Sequence, residues 1–301
     1  MMVRSSLWML VSTFLFAVMA VLTKFATESL TVWEIIFFRS LCGVILCAAV
    51  LKRRRITVRT VHPWRHLLRC AIGTSCITLG VVALKLLPLG TAQTFNYSGP
   101  LWFCLFLSIA AAMKGERLER PLLLAVAAGF AGVLLVLRPD IPTEAMTGAL
   151  VGVVVGFLGG SADFMIRDLS HHREPPERIV FFFTLAGTVT GFIGSLATGF
   201  SGLTTGSALL LLGIGVSATF AQLALTVGWT YGHPILNAIF QFAGIPFAVF
   251  FGFLLFGETP DLIAALGITL VAASGLAASL IRMRSEKRAL AETSSAASSG
   301  K

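Results

Sequence analysis

Four sets of polar residues sit inside apolar runs at helical spacing. In the stretch 231–257, YGHPILNAIFQFAGIPFAVFFGFLLFG, His233, Asn237 and Gln241 recur every fourth residue, and Pro246 follows. Gln93, Asn96, Tyr97 and Pro100 stand at i, i+3, i+4 and i+7. Gln222, Thr226 and Trp229 share a third face, and Thr74, Thr78 and Lys85 share a fourth. Such spacings place side chains on one side of a helix. Neutral amides and a phenol there offer donors and acceptors without net charge, which suits holding a polar solute. Trp229 adds a ring to pack or stack on it. Pro100 and Pro246 each remove a backbone donor, and the carbonyls they release can receive an ammonium group. The expected substrate-binding set is therefore Thr78, Gln93, Asn96, Tyr97, Pro100, Gln222, Trp229, Asn237, Gln241 and Pro246.

Charge inside such runs is costly and usually functional. Arg39, Asp163 and Lys85 are the candidates for ion coupling or charge pairing. Asp163 also stands four residues before Arg167, the spacing of an ordinary helical ion pair. Glu116 and Glu258 each follow a glycine just ahead of an apolar run, where a helix N-terminus favours an anion; both are assigned to structure. No nucleophile–base–acid set, metal cluster or phosphate loop is visible. GFLGGSAD lacks the lysine of a phosphate loop, and the paired His171 and His172 belong to a polar loop. The five cysteines read as small buried hydrophobes. An enzyme, a cofactor and a bound metal are not expected.

The elements that position these residues are membrane helices. The chain of 301 residues is 56% hydrophobic and 12% charged, with a mean hydropathy of +0.88. A span needs about 20 mostly apolar residues. Ten such runs are legible, near 6–24, 32–51, 67–87, 91–113, 121–138, 147–167, 179–199, 206–231, 233–256 and 261–281. With the N-terminus inside, 19 of the 23 basic residues fall on the cytoplasmic side, Arg69 counted among them, against Lys24, Lys85 and Arg138 outside and Arg39 within a span. This is the positive-inside pattern, so both termini are placed in the cytoplasm and the charge of +9 reads as topology rather than nucleic-acid binding. The first run imitates a signal peptide, but it is needed as a span. The polar tail 282–301 is expected to be disordered.

Ten spans divide into two five-span halves, 6–138 and 147–281, the second inserted upside down. Each half carries a proline in its fourth span and Gly-Glu before its fifth: Pro100 with Gly115-Glu116, and Pro246 with Gly257-Glu258. Inverted repeats place substrate near the midplane at discontinuous helices in corresponding positions. The run from Leu87 to Asp140 and FFRSLCGVIL around Arg39 resemble the EamA family of the drug/metabolite transporter superfamily. The resemblance covers about residues 6–281 and matches the family motif at Pro100, Glu116, Pro246 and Glu258. It implies a secondary carrier of small metabolites in a bacterial inner membrane, with a central cavity lined by spans 1, 3, 4, 6, 8 and 9.

The expected function is export of a small amino-acid-like or zwitterionic metabolite, such as an opine-type metallophore, by alternating access. With no ATP-binding sequence visible, the driving force is expected to be an ion gradient, with protons the candidate coupling ion, or the membrane potential or the substrate's own gradient. The bilayer and the metabolite are the expected partners of a monomer or weak homodimer. The alternative is uptake of a vitamin or nucleoside derivative. A membrane enzyme or scaffold is the third class, one that would tolerate substitution of the amides.

Overall fold

A computed structural model describes residues 2–113, 120–137 and 143–299. Among the described residues the regular elements are all helices, with no strand. Twelve helices follow in chain order: α1 (Met2–Ala26), α2 (Val32–Arg54), α3 (Pro63–Leu86), α4 (Leu89–Asn96), α5 (Gly99–Met113), α6 (Arg120–Leu137), α7 (Thr143–His171), α8 (Pro176–Thr198), α9 (Thr205–Tyr231), α10 (Pro234–Gln241), α11 (Gly244–Phe256) and α12 (Leu262–Ser299). Among the described residues, eight segments are long and apolar enough to cross a membrane, with α10 and α11 counted together as Leu236–Phe256. Large apolar side chains such as Ile45, Leu150, Val189, Leu209 and Phe253 face outward. A soluble fold would bury them; a helix bundle in lipid leaves them on its surface.

Helix ends follow local chemistry. Thr31 and Glu34 form a reciprocal capping box at the start of α2, and Arg55 closes that helix in the left-handed conformation at φ 55°. Thr204 and Ser207 form a second box on α9. Prolines occupy the first turns of α3, α8 and α10, where the missing N–H has no helical partner to lose. α12 runs on through Ser299 instead of ending near 281. That segment is rich in Ala, Glu, Lys and Arg, strong helix formers that extend a helix already nucleated in the span.

Two expected spans are broken. Span 4 divides into α4 and α5, eight and fifteen residues long, and span 9 into α10 and α11, eight and thirteen. At the first break Ser98 N–H donates to the Phe95 carbonyl, and at the second Phe242 and Ala243 donate to Ile239 and Phe240. These i→i−3 bonds overwind the backbone. Pro100 and Pro246 each stand in the first turn of the following half-helix, a position proline tolerates. The carbonyl ahead of Pro246 is not left vacant, because Phe242 O accepts from Ile245 N–H.

Packing links the broken spans. α4 lies on α11 and α7, α5 lies on α7, and α10 and α11 both lie on α1. α1 packs on α9, α3 on α7, α2 on α8, and α6 on α12. The Gly152–Gly156–Gly160 stripe of α7 seats the first break. A Cβ at Gly156 would come 2.1 Å from Ser98 Oγ and 2.6 Å from the Phe95 carbonyl, and one at Gly160 would lie 2.5 Å from the Gly99 carbonyl. At the second break Gly244 admits the Tyr97 ring, which a Cβ would meet at 2.0 Å.

Gly156→Ala is expected to destabilise the protein by about 1–3 kcal/mol, since backbone must move to admit the methyl. Gly159→Ala, whose added carbon meets nothing nearer than 3.8 Å, should leave stability unchanged. Thermal unfolding in detergent, followed by size exclusion, compares the two; equal melting temperatures would remove the packing role assigned to the stripe.

Candidate substrate-binding cavity

A cavity of about 160 Å³ opens where the helix breaks meet the centre of the bundle. α4 and the first turn of α5 contribute Gln93, Asn96, Tyr97 and Pro100, α9 contributes Gln222, and α10 contributes Gln241. α2 and α3 supply Arg39 and Arg69, and α7 supplies Asp163. Apolar walls complete it, from Phe16 and Met19 of α1 to Leu84 of α3 and Phe183 of α8. A largely apolar chamber with a few convergent polar groups is the usual form of a small-molecule site.

The polar groups are held by short local bonds. Gln241 Nε2 donates to Asp163 Oδ2 at 2.7 Å, and Asn96 Nδ2 donates to Gln93 Oε1 at 3.1 Å. Gln241 Oε1 is buried without a hydrogen-bond partner among the described residues. The Arg69 guanidinium lies over the Phe183 ring, 4.3 Å from its centroid, a cation–π arrangement. It folds back along its own helix because position 73 is glycine; a Cβ there would come 2.0 Å from Arg69 Nη1.

The structure thus brings Gln93, Asn96, Tyr97, Pro100, Gln222, Gln241, Arg39 and Asp163 to one cavity, and leaves five predicted residues off it. Asn237 is wholly buried, and its Nδ2 donates to the Gly228 carbonyl, closing the α9–α10 turn. Trp229 packs on Phe103 with centroids 5.0 Å apart. Thr78 Oγ1 donates to the Thr74 carbonyl within its own helix. Pro246 and Lys85 are exposed. In each case the spacing identified a shared face but not which neighbour that face meets.

Glu258 serves a different helix from the one expected. Its Oε2 accepts from Leu89 N–H at 2.6 Å, capping α4, while Oε1 pairs with Lys24 Nζ at 2.5 Å. Asp261 takes the capping position on α12, accepting from Ala264 N–H. Glu116 lies outside the described residues. Arg69 was missed as a site residue because it was counted with the basic loops. Its signal was periodicity: Arg69, Gly73, Cys76 and Gly80 share one face of α3, and all four line the cavity.

The lining extends toward the end of α3 that carries Leu84. At the opposite face the α2–α3 and α7–α8 loops are drawn together. Glu174, 3% exposed, accepts from Thr60 and from Arg178, and the His66 ring stands 3.4 Å from it. Arg65 pairs with Asp168, and Arg54 with Glu177. His171 ends α7, and the loop that follows is docked, with the His172 ring against His62 at 4.7 Å. Burial alone would raise the Glu174 carboxyl, but the bonds from Thr60 and Arg178 and the charges of Arg178 and His66 outweigh it and hold it below its ordinary 4.5.

The model of the EamA-like transporter family matches residues 3–138 and 146–280. The chain is 26% identical over 268 residues to the pseudopaline exporter CntI of Pseudomonas aeruginosa, covering 89% of this chain and 93% of that protein. It is 28% identical over 294 residues to a riboflavin transporter of Rhizobium johnstonii, covering 95% and 93%. It is 22% identical over 290 residues to an S-adenosylmethionine uptake transporter of Rickettsia conorii, covering 94% and 93%. A crystal structure at 20% identity shares the fold, with a TM-score of 0.69 over 94% of this chain and 99% of that one.

A carboxyl depressed in the folded state stabilises above its unfolded value, and that contribution disappears as pH falls through the folded value. The loop clasp should therefore hold at pH 5 and above, and loosen below about 4.5. Glu174→Gln is expected to cost about 1–3 kcal/mol at neutral pH and to flatten the acid limb of a stability–pH profile. An unchanged acid limb in the variant would place the acid-sensitive contact elsewhere.

Proposed function

The chain belongs to the EamA-like transporter family, and from that premise we propose that it exports a small amino-acid-like or zwitterionic metabolite, of the opine-type metallophore kind, by alternating access. As a member of that family it is a transporter and not an enzyme. The observation that carries the substrate reading is the convergence of Gln93, Asn96, Tyr97, Gln222, Gln241 and Asp163 on one cavity at the helix breaks. Neutral amides, a phenol and a carboxylate can together hold an amine, while the apolar walls exclude water from the remainder. Similarity to the pseudopaline exporter supports export.

The architecture in this reading is ten spans in two inverted five-span repeats, with α4–α5 and α10–α11 each forming one span. The pattern of packing supports it. Shifting every span by five exchanges α1 on α9 with α7 on α3, and α2 on α9 with α8 on α3. It also exchanges α5 on α7 with α10 and α11 on α1. The two matched stretches, 3–138 and 146–280, support the same division. The basic loops support cytoplasmic termini, which turns the Glu174 clasp into an inner gate and the Leu84 end of the cavity into its outward approach. Substrate would enter from inside when the clasp opens and leave outward in the arrangement described above. Asp163, the acidic residue of the lining, is the natural carrier if protons drive the cycle.

Uptake is the second reading, favoured by similarity to riboflavin and S-adenosylmethionine transporters at comparable coverage. Metabolite profiles of cells and spent medium, from deletion and overexpression strains, separate the two. Under export, a compound accumulates inside the deletion strain and vanishes from its medium. A compound left unconsumed in the medium would reverse the direction. Gln241→Ala is expected to abolish transport of that compound while the protein remains inserted and folded; normal kinetics in this variant would displace the site.

A further inference from the structure

The amide stripes explain how the cavity holds a neutral or amine-bearing group, but they leave two arginines unused. Arg39 and Arg69 are 7% and 3% exposed, on different helices, and both line the cavity. Arg39 Nε and Arg69 Nε and Nη1 are buried without hydrogen-bond partners among the described residues. The two guanidiniums lie within electrostatic reach of each other, and Arg69 within reach of Asp163. Glu34, five residues before Arg39, is occupied elsewhere: its carboxylate accepts from Thr31 and Ser201. The Cys76 thiol is directed to the Val155 carbonyl at 3.6 Å.

The formal balance of the lining is thus two positive charges against one negative. A guanidinium is charged at any working pH, and a buried charge without a counterion is strongly disfavoured. Asp163 offsets one arginine and nothing in the lining offsets the other. The fold nevertheless makes room for Arg69. Gly73 leaves room for the Arg69 head, and Phe183 supports its face. A planar guanidinium presents its donors in the geometry that matches a carboxylate.

We propose that Arg39 and Arg69 form a carboxylate subsite, and that Gln241 with Asp163 forms the facing amine subsite. The substrate is then an amino-acid derivative carrying two carboxylates and one ammonium, whose net charge of −1 cancels the +1 of the cavity. This rests on the amino-acid-like reading given above and narrows it. A neutral flavin leaves the excess positive charge in place, and a sulfonium amino acid adds to it.

The test is binding to the purified full-length protein in lipid nanodiscs by isothermal titration. The probes are N-(carboxymethyl)-L-histidine, its dimethyl ester, L-histidine, O-phospho-L-serine, riboflavin and S-adenosylmethionine. The diacid is expected to bind about tenfold or more tightly than L-histidine, and the diester to bind weakly or not at all. Arg39→Gln and Arg69→Gln should each bring the diacid to the level of L-histidine, without weakening L-histidine to the same degree. Equal binding of diacid, diester and L-histidine by the wild type would overturn the subsite while leaving the amino-acid-like reading intact. That comparison needs no variant, so it decides even if an arginine substitution fails to fold. Tighter binding of O-phospho-L-serine than of the diacid would overturn the carboxylate assignment in favour of phosphate. Binding of riboflavin or S-adenosylmethionine with no binding of the amino-acid probes would overturn the substrate reading and the subsite with it.

Discussion

The constraint on which the rest of the structure depends is that backbone polar groups inside a bilayer must find partners within the protein. An unbroken helix meets it automatically, but a carrier needs irregular backbone near the midplane, where a ligand can be gripped. This protein places two breaks where other helices cover them. The first is pressed against the glycine stripe of α7, and the second receives the Tyr97 ring at Gly244. Overwound i→i−3 bonds retain most local partners. The cavity exists because these two irregular segments, α4–α5 and α10–α11, are turned toward the same interior.

Placement of charge follows from the same low dielectric. Glu34, Glu174 and Glu258 are each answered by several donors and sit near helix ends, where capping and ion pairing combine. They bind the ends of the bundle together: Glu258 joins α1, α4 and the α11–α12 loop, and Glu174 joins the α2–α3 and α7–α8 loops. Arg39 and Arg69 are the exceptions, deep and with unpaired nitrogens among the described residues, and they line the cavity beside Asp163, whose Oδ2 accepts from Gln241. Charge is answered at the ends of the bundle, whereas the two arginines at its centre keep unpaired nitrogens among the described residues.

That division also suits alternating access. Polar clasps at the two faces can break and re-form in water at modest net cost, whereas the central glycine contacts are steric and persist. Rocking about a fixed centre requires weak closures outside and rigid packing inside, and the bonds found here are distributed that way.

Much of this was legible in the chain itself. Hydropathy marked the helices, because about 20 apolar residues have few alternatives to crossing a bilayer, and Pro100 and Pro246 marked the two segments that break. The stripe Gln93–Asn96–Tyr97–Pro100 also showed its common face, since helical spacing alone sets it. Spacing does not say what a face meets. Asn237 and Gln241 belong to one stripe, yet Asn237 closes the turn to α9 and Gln241 reaches Asp163 across the cavity. Arg69 looked like part of a basic loop until α3 was seen to carry it inward past Gly73, and Glu258 looked like the cap of its own downstream helix until α4 was found beside it. Intrahelical geometry and hydrophobicity are properties of the chain; which helix stands opposite, and so which charge goes unanswered, is decided by tertiary packing.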